Sequence, residues 1–134
     1  MTKPHLSTTI DVGALQAMLE AGDAVTVLDV RKTEDRAEWA IPGSLHVDAY
    51  EALKTGDPDA LSAADIPRDA PVVTVCGAGK VSLVAMEQLA RRGYDARSLR
   101  GGMKAWSLAW NSADVPLAES TASVVQVRRT GKGC

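Results

Sequence analysis

The run Val72-Val73-Thr74-Val75-Cys76-Gly77-Ala78-Gly79 constrains this chain more than any other stretch of it. Val72 to Val75 are all β-branched, the side chains that fit a pleated strand, and no alternation of polar and apolar residues interrupts them, as suits a strand covered on both faces. After the glycines, Val81, Val84, Ala85 and Leu89 recur at helical spacing until Gly93 stops the segment. Strand, glycine turn and helix make half of a βαβ unit. Other runs extend the alternation. Asp11 stands as an N-cap before Leu15, Met18 and Leu19, with Gly22 placed to end that helix. Residues 25–30 form a second β-branched run, and Ala96-Arg97-Ser98-Leu99 before Gly101-Gly102 predicts a third strand, with a closing helix over 103–110. Leu45-His46-Val47 is a weaker strand signal, and residues 52–69 read as a linker with one or two helical turns. The expected class is α/β, with a central, mostly parallel sheet flanked by helices on both faces.

Composition narrows what such a fold can do. The chain has 134 residues, 46% of them apolar, which describes one soluble domain. Its formal net charge of −2 argues against a nucleic-acid partner, which needs concentrated Lys and Arg. No run approaches the ~20 apolar residues that span a bilayer, and the N-terminus has no apolar leader core, so neither membrane attachment nor export is expected. Cys76 and Cys134 form neither a disulfide framework nor a metal-type pair, which favours a reducing, cytoplasmic setting. His5 and Cys134 are too isolated to propose as metal ligands.

Cys76 ends the predicted central strand and precedes a turn that opens a helix, the place where open α/β sheets bind their ligands. Successive backbone N–H groups of such a turn form an anion nest, and the helix N-terminus adds about half a positive charge. Both favour an anionic, nucleophilic sulfur. The residues alone also permit a small buried apolar cysteine. Two phosphate motifs are excluded. Val81 separates Lys80 from Ser82 and Thr74 holds the first glycine position of a P-loop, while Ser82 stands where a dinucleotide fingerprint needs its third glycine.

In several places the chain resembles the rhodanese-like sulfurtransferases. Asp29-Val30-Arg31 looks like the family's Asp-Val-Arg segment, and Ile41-Pro42-Gly43-Ser44 falls on its Gly-His-Ile-Pro-Gly-Ala turn. Cys76, Gly79 and Ser82 match the loop Cys-x-x-Gly-x-Arg-Ser, and Leu99-Arg100-Gly101-Gly102 with Trp106 matches a Leu-x-Gly-Gly-x-x-x-Trp segment. The resemblance covers roughly residues 7–117. It implies a catalytic Cys76 that takes a sulfane sulfur from a small-molecule donor, thiosulfate or a low-molecular-weight persulfide. The resulting persulfide would pass its sulfur to a thiophilic acceptor. Gly77, Ala78, Gly79, Lys80, Val81 and Ser82 would form the substrate-binding loop, without metal or organic cofactor. Two departures stand out. Val81 holds the loop position of the family's arginine, leaving only Lys80, a compact charge without a bidentate fork, and Trp39-Ala40 replaces Gly-His.

The remaining singled-out residues read as structural: Asp29 and Arg31 as partners that orient turns, His46 as a satisfied histidine at a strand, Trp106 as a core anchor, and Arg91-Arg92 as a solvated helix face. The expected domain spans 1–117 and acts as a monomer. Residues 118–134 carry Arg128, Arg129 and Lys132 against Glu119 and are expected to be a linker or tail. The run from Val127 to Cys134 is similar to the opening of the metallo-β-lactamase-like domain found in rhodanese fusions, so this tail reads equally as a basic extension or as the start of such a following domain. Three functional classes compete on this fold: a sulfurtransferase, a cysteine phosphatase and a non-catalytic or regulatory sulfur-binding module. The phosphatases use a loop one residue longer with its arginine, which disfavours them. A binding module would be expected to lose the nucleophile, which this chain keeps.

Overall fold

A computed structural model describes residues 8–112, with side chains through Ala109. The elements alternate along the chain: β1 (Thr9–Ile10), α1 (Val12–Ala21), β2 (Thr26–Asp29), α2 (Thr33–Glu38), β3 (Leu45–His46), α3 (Tyr50–Lys54), β4 (Val72–Val75), α4 (Val81–Arg91), β5 (Ala96–Leu99) and α5 (Gly102–Ser112). The five strands pair in the order β1-β5-β4-β2-β3, all parallel. Parallel pairs need crossovers, and the helices supply them on both faces of the sheet.

The two faces follow from the strand period of two. On β4, Val73 and Val75 join Leu15 of α1, Leu99 of β5, and Met103 and Trp106 of α5 in one apolar cluster. Val72 and Cys76 face the other way, where Leu28, Leu53 of α3, and Val81, Ala85 and Leu89 of α4 pack. Trp106, 2% exposed, anchors α5 in the core as expected of it. Leu15, Leu89 and Leu99 are fully buried, each contributing about 1.5–3 kcal/mol of apolar burial.

Several local expectations are corrected. Asp11 is the N-cap of α1, but its side chain makes no capping hydrogen bond and instead pairs with Arg100 at 3.0 Å. The buried face of α1 is Val12 and Leu15, with Met18 partly buried, whereas Leu19 is 37% exposed. Gly22 ends that helix in the left-handed region, at φ 77°, and its N–H reaches the Leu19 carbonyl. The helical turn expected within the 52–69 linker is α3, which starts two residues earlier, at Tyr50. The turns after it are not loose: Leu61 and Ile66 are buried against the α4 side of the sheet. The 118–134 tail and the 113–117 boundary lie outside the described residues. Among the described residues no helix is long and apolar enough to cross a membrane.

Candidate active site

Cys76 follows β4 directly and shares a face with Val72 and Thr74, so its side chain enters the cluster beneath α4 and is 2% exposed. The helix above it lacks an ordinary cap. Lys80 is the N-cap residue of α4 and makes no side-chain capping bond, which leaves orphan N–H groups at the first turn. The sulfur takes that place. Sγ accepts hydrogen bonds from the N–H groups of Gly79 at 3.1 Å and Ser82 at 3.3 Å, and lies 3.5 Å from the Ser82 hydroxyl. An N-cap side chain normally serves the N–H two or three positions into a helix. Here a residue six positions earlier serves Ser82, the second residue of α4.

The loop holds this geometry because its carbonyls are turned the other way. The Cys76 carbonyl accepts from Met103 N–H at 2.8 Å and the Gly77 carbonyl from Lys104 N–H at 3.0 Å, so the loop caps the first turn of α5. That contact requires Gly102, at φ 56°: a Cβ there would lie 2.3 Å from the Cys76 carbonyl oxygen. Gly79, at φ 98°, sits against the Gly101 backbone, which a Cβ would meet at 3.1 Å. The glycines of the two loop segments are therefore mutual requirements of one contact.

The remaining loop residues divide by exposure. Ala78 and Lys80 face solvent, while Gly77 is buried. Val81, 8% exposed, is packed in the cluster with Cys76 and Ala85, so the position of the family's arginine is filled by a core side chain. Lys80 is the sole cationic side chain within residues 76–82. Under the loop, the Thr74 hydroxyl donates to the Ser82 carbonyl at 2.7 Å and the Ser82 and Ser98 hydroxyls lie 2.7 Å apart. Sequence reasoning passed over Thr74 and Ser98. Their signal was faint: one hydroxyl residue inside each of two strand-forming runs.

A second polar group closes the same end of the sheet. Arg31, fully buried, forks onto the Asp29 carboxylate through Nε at 3.0 Å and Nη2 at 2.8 Å, and Nη2 also donates to the Trp39 carbonyl at 2.7 Å. Arg36 reaches the same carboxylate at 3.5 Å and the Ser44 hydroxyl at 3.0 Å. Trp39, at φ −179°, is extended backbone that needs no glycine, and its ring is buried among Val27 and Ile41. His46 Nε2 donates to the Arg31 carbonyl at 2.8 Å, which fixes its tautomer. These groups have the structural roles expected of them. Asp48, outside the fork, accepts from the Thr33 hydroxyl at 2.8 Å and N–H at 3.0 Å, and these bonds hold its carboxyl below the ordinary range. Glu51, 3.3 Å from the Lys32 ammonium, raises that lysine through a hydrogen bond and its charge. A cleft of about 350 Å³ beside β3, lined by Leu45, His46, Ala60 and Ile66 among others, includes none of residues 76–82.

Residues 11–109 match the rhodanese-like domain family. The chain belongs to the rhodanese-like family of sulfurtransferases. It is 31% identical over 98 residues to YtwF of Bacillus subtilis, which carries a provisional sulfurtransferase name; that match covers 72% of this chain and 87% of YtwF. It is 34% identical over 82 residues to a tRNA sulfurtransferase of Desulfurococcus amylolyticus, covering 61% of this chain and only 14% of that much longer protein. The structure superposes on the human single-domain sulfurtransferase TSTD1 with a TM-score of 0.59 at 30% identity, covering 75% of this chain and 95% of the human one. The rhodanese fold also sets the α/β class that the sequence pattern predicts.

Proposed function

We propose that Cys76 carries sulfur between a donor and an acceptor as a cysteine persulfide. The observation that supports this is the seat of its sulfur: two backbone N–H groups at the positive end of an 11-residue helix converge on Sγ at 3.1 and 3.3 Å. In the first half-reaction the thiolate attacks the outer sulfur of thiosulfate or of a low-molecular-weight persulfide. The new S–S bond forms on Sγ, the donor's S–S bond breaks, and its electron pair leaves on sulfite or on a thiolate. In the second, a thiophilic acceptor such as cyanide or a thiol attacks the outer sulfur and the pair returns to Sγ. No net oxidation occurs, and the loop acts by fixed dipoles rather than by moving protons.

Donor preference follows from what the loop lacks. With Val81 in the core and Lys80 the only cation on the loop, an anionic donor such as thiosulfate is held mainly by backbone N–H groups. A less charged persulfide loses little by that and is the favoured donor. Protein thiols and cyanide are the acceptors such chemistry serves, and a following metallo-β-lactamase-like domain would be one covalent partner. A second reading, a module that holds sulfur without turning it over, draws on the 2% exposure of Cys76.

The test is intact-mass analysis after incubation with thiosulfate or glutathione persulfide, followed by addition of cyanide. One added sulfur on the parent protein, absent from Cys76→Ser and removed by cyanide, is expected. An adduct that resists every acceptor favours the holding module, and an adduct that persists in Cys76→Ser overturns the assignment.

A further inference from the structure

Three hydroxyl groups sit within the apolar packing beneath Cys76: Thr74 on β4, Ser82 on α4 and Ser98 on β5, each at most 1% exposed. Thr74 and Ser98 are register partners on adjacent strands, so the sheet places them side by side under the start of α4. A buried hydroxyl is costly without a partner, and each of the three has one. Thr74 is committed to the Ser82 carbonyl at 2.7 Å. The Ser98 hydroxyl has, among the described residues, a single hydrogen-bond partner, the Ser82 hydroxyl at 2.7 Å. The Ser82 hydroxyl has two, Ser98 and the sulfur of Cys76 at 3.5 Å. Ser82 thus stands in a row between a strand residue outside the loop and the reacting atom.

We propose that Ser98 is a positioning residue for sulfur transfer, one that orients the Ser82 hydroxyl as a third donor to the sulfur of Cys76 whenever that sulfur is anionic. The proposal rests on the reading of Cys76 as the nucleophile. A serine hydroxyl carries one proton and two lone pairs, so a row of two can run in either direction. With an anionic sulfur, Ser98 donates to the Ser82 oxygen and Ser82 donates to Sγ, and bonds in such a row strengthen one another. When the sulfur is a neutral thiol the row reverses, the thiol donating to Ser82 and Ser82 to Ser98. When Sγ has bonded the transferred sulfur and lost its charge, the Ser82 proton turns back to the Ser98 oxygen. Ser98 accepts that proton in the two uncharged states and supports its donation to Sγ in the anionic one, and only two hydroxyl rotations are needed between them. The backbone donors from Gly79 and Ser82 are fixed, whereas this third donor follows the charge.

The experiment uses the full chain in five forms: parent, Ser98→Ala, Ser82→Ala, the double variant and Ser98→Thr. Four quantities are read: the rate of Cys76 alkylation by iodoacetamide at neutral pH, kcat and KM with thiosulfate and cyanide, and the melting temperature. Ser98→Ala is expected to slow alkylation and lower kcat by about three- to tenfold, the worth of one net hydrogen bond, with KM unchanged. The double variant should be no slower than Ser82→Ala alone, because Ser98 acts through that hydroxyl. Ser98→Thr, which keeps the hydroxyl on a residue suited to a strand, should restore both rates. Alkylation of Ser98→Ala at the parental rate overturns the proposal, as does an equal slowing by Ser98→Ala with and without the Ser82 hydroxyl. A Ser98→Ala protein that melts well below the parent is judged on Ser98→Thr against a sixth form, Ser98→Val, which has the same shape without the hydroxyl: restoration by both, or by neither, overturns the hydroxyl's role. Alkylation reads the sulfur without any donor, so failure to form a persulfide would sink the transfer reading while this result stood on its own.

Discussion

Two helices begin with a lysine that cannot cap them, and the chain solves the problem in opposite ways. At α2 the N-cap is Lys32, and the first N–H, that of Thr33, is taken by the carboxylate of Asp48 at 3.0 Å, in solvent. At α4 the N-cap is Lys80, and the N–H of Ser82 is taken by the buried sulfur of Cys76 at 3.3 Å. The carboxylate comes from 15 residues further along the chain, the sulfur from six residues before the N–H it takes. The exposed carboxylate gains little from the helix field because water competes with it, whereas the sulfur meets the same field where water is excluded. The comparison shows that Cys76 is more than a residue near a helix end. It is the cap, so the group that would react also holds its helix in place. The surroundings differ in the same sense: buried charges lock the 29–44 region, whereas backbone groups and uncharged hydroxyls shape residues 76–82.

Removing the buried fork should have the largest effect. Arg31→Ala leaves the Asp29 carboxylate with the backbone N–H of residue 31 at 3.0 Å and Arg36 at 3.5 Å, and opens a cavity where a fully buried guanidinium lay. Breaking a buried pair costs about 3–5 kcal/mol, and the remaining Arg36 puts the expectation near the lower end. Urea unfolding should show that loss, while Cys76 in the folded fraction alkylates at the parental rate. A slowed alkylation would mean that the two regions are coupled and the contrast is false.

Gly102→Ala should come next. Its left-handed φ of 56° costs about 1–3 kcal/mol for a side chain, and the Cβ would press on the Cys76 carbonyl oxygen at 2.3 Å. Gly43→Ala is the control in the charge-locked region, since its φ of 81° brings similar strain but its Cβ meets nothing. Both should lower the melting temperature, and only Gly102→Ala should lose sulfur transfer out of proportion to its folded fraction. Equal transfer by the two variants would show that the Gly102 contact does not shape the loop.

Cap removal itself should be smaller. Cys76→Ala takes the acceptor from the start of α4 and should cost about 1 kcal/mol, as loss of an N-cap does, whereas Cys76→Ser keeps an oxygen acceptor and should cost less. Both lose transfer. If the alanine variant melts at the parental temperature, the sulfur is not the cap.

How much of this was legible beforehand depends on the kind of signal. The strand-turn-helix at 72–89 was readable because β-branched runs, glycines and helical periodicity all point to one local structure, and four family-like segments placed the loop. Residues 33–38 were not, because Thr-Glu-Asp-Arg-Ala-Glu buries nothing and so has no apolar period; α2 exists through Asp48 and the Arg36 contacts, from residues far along the chain. Nor was β1, two residues long and defined by its pairing to β5. The direction of Val81 was also hidden. A family position marks it as an arginine site, and only the packing against Ala85 and Cys76 shows that the side chain belongs to the core. The same holds for Ser98, whose partner lies 16 residues away.

The smallest effect belongs to the exposed cap. Hydrogen bonds from the Thr33 hydroxyl, and then from its N–H, hold the Asp48 carboxyl below its ordinary value. A group whose folded value is depressed contributes stability in full above its unfolded value, near ~3.9 for an aspartate, and loses it as the pH falls through the folded one. Asp48→Ala should therefore be less stable than the parent at neutral pH, by no more than about 1 kcal/mol because the site is in solvent. The gap should close as the pH drops below the ordinary aspartate range, when the parent carboxyl takes up its proton. It should also narrow in high salt, which screens the lysine at position 32 and the helix end but not a neutral hydrogen bond. Urea midpoints of the two proteins at neutral and acidic pH measure this directly. A gap that stays constant with pH would mean that Asp48 acts by its shape and not its charge. It would then resemble the buried sulfur more closely than its exposure suggests.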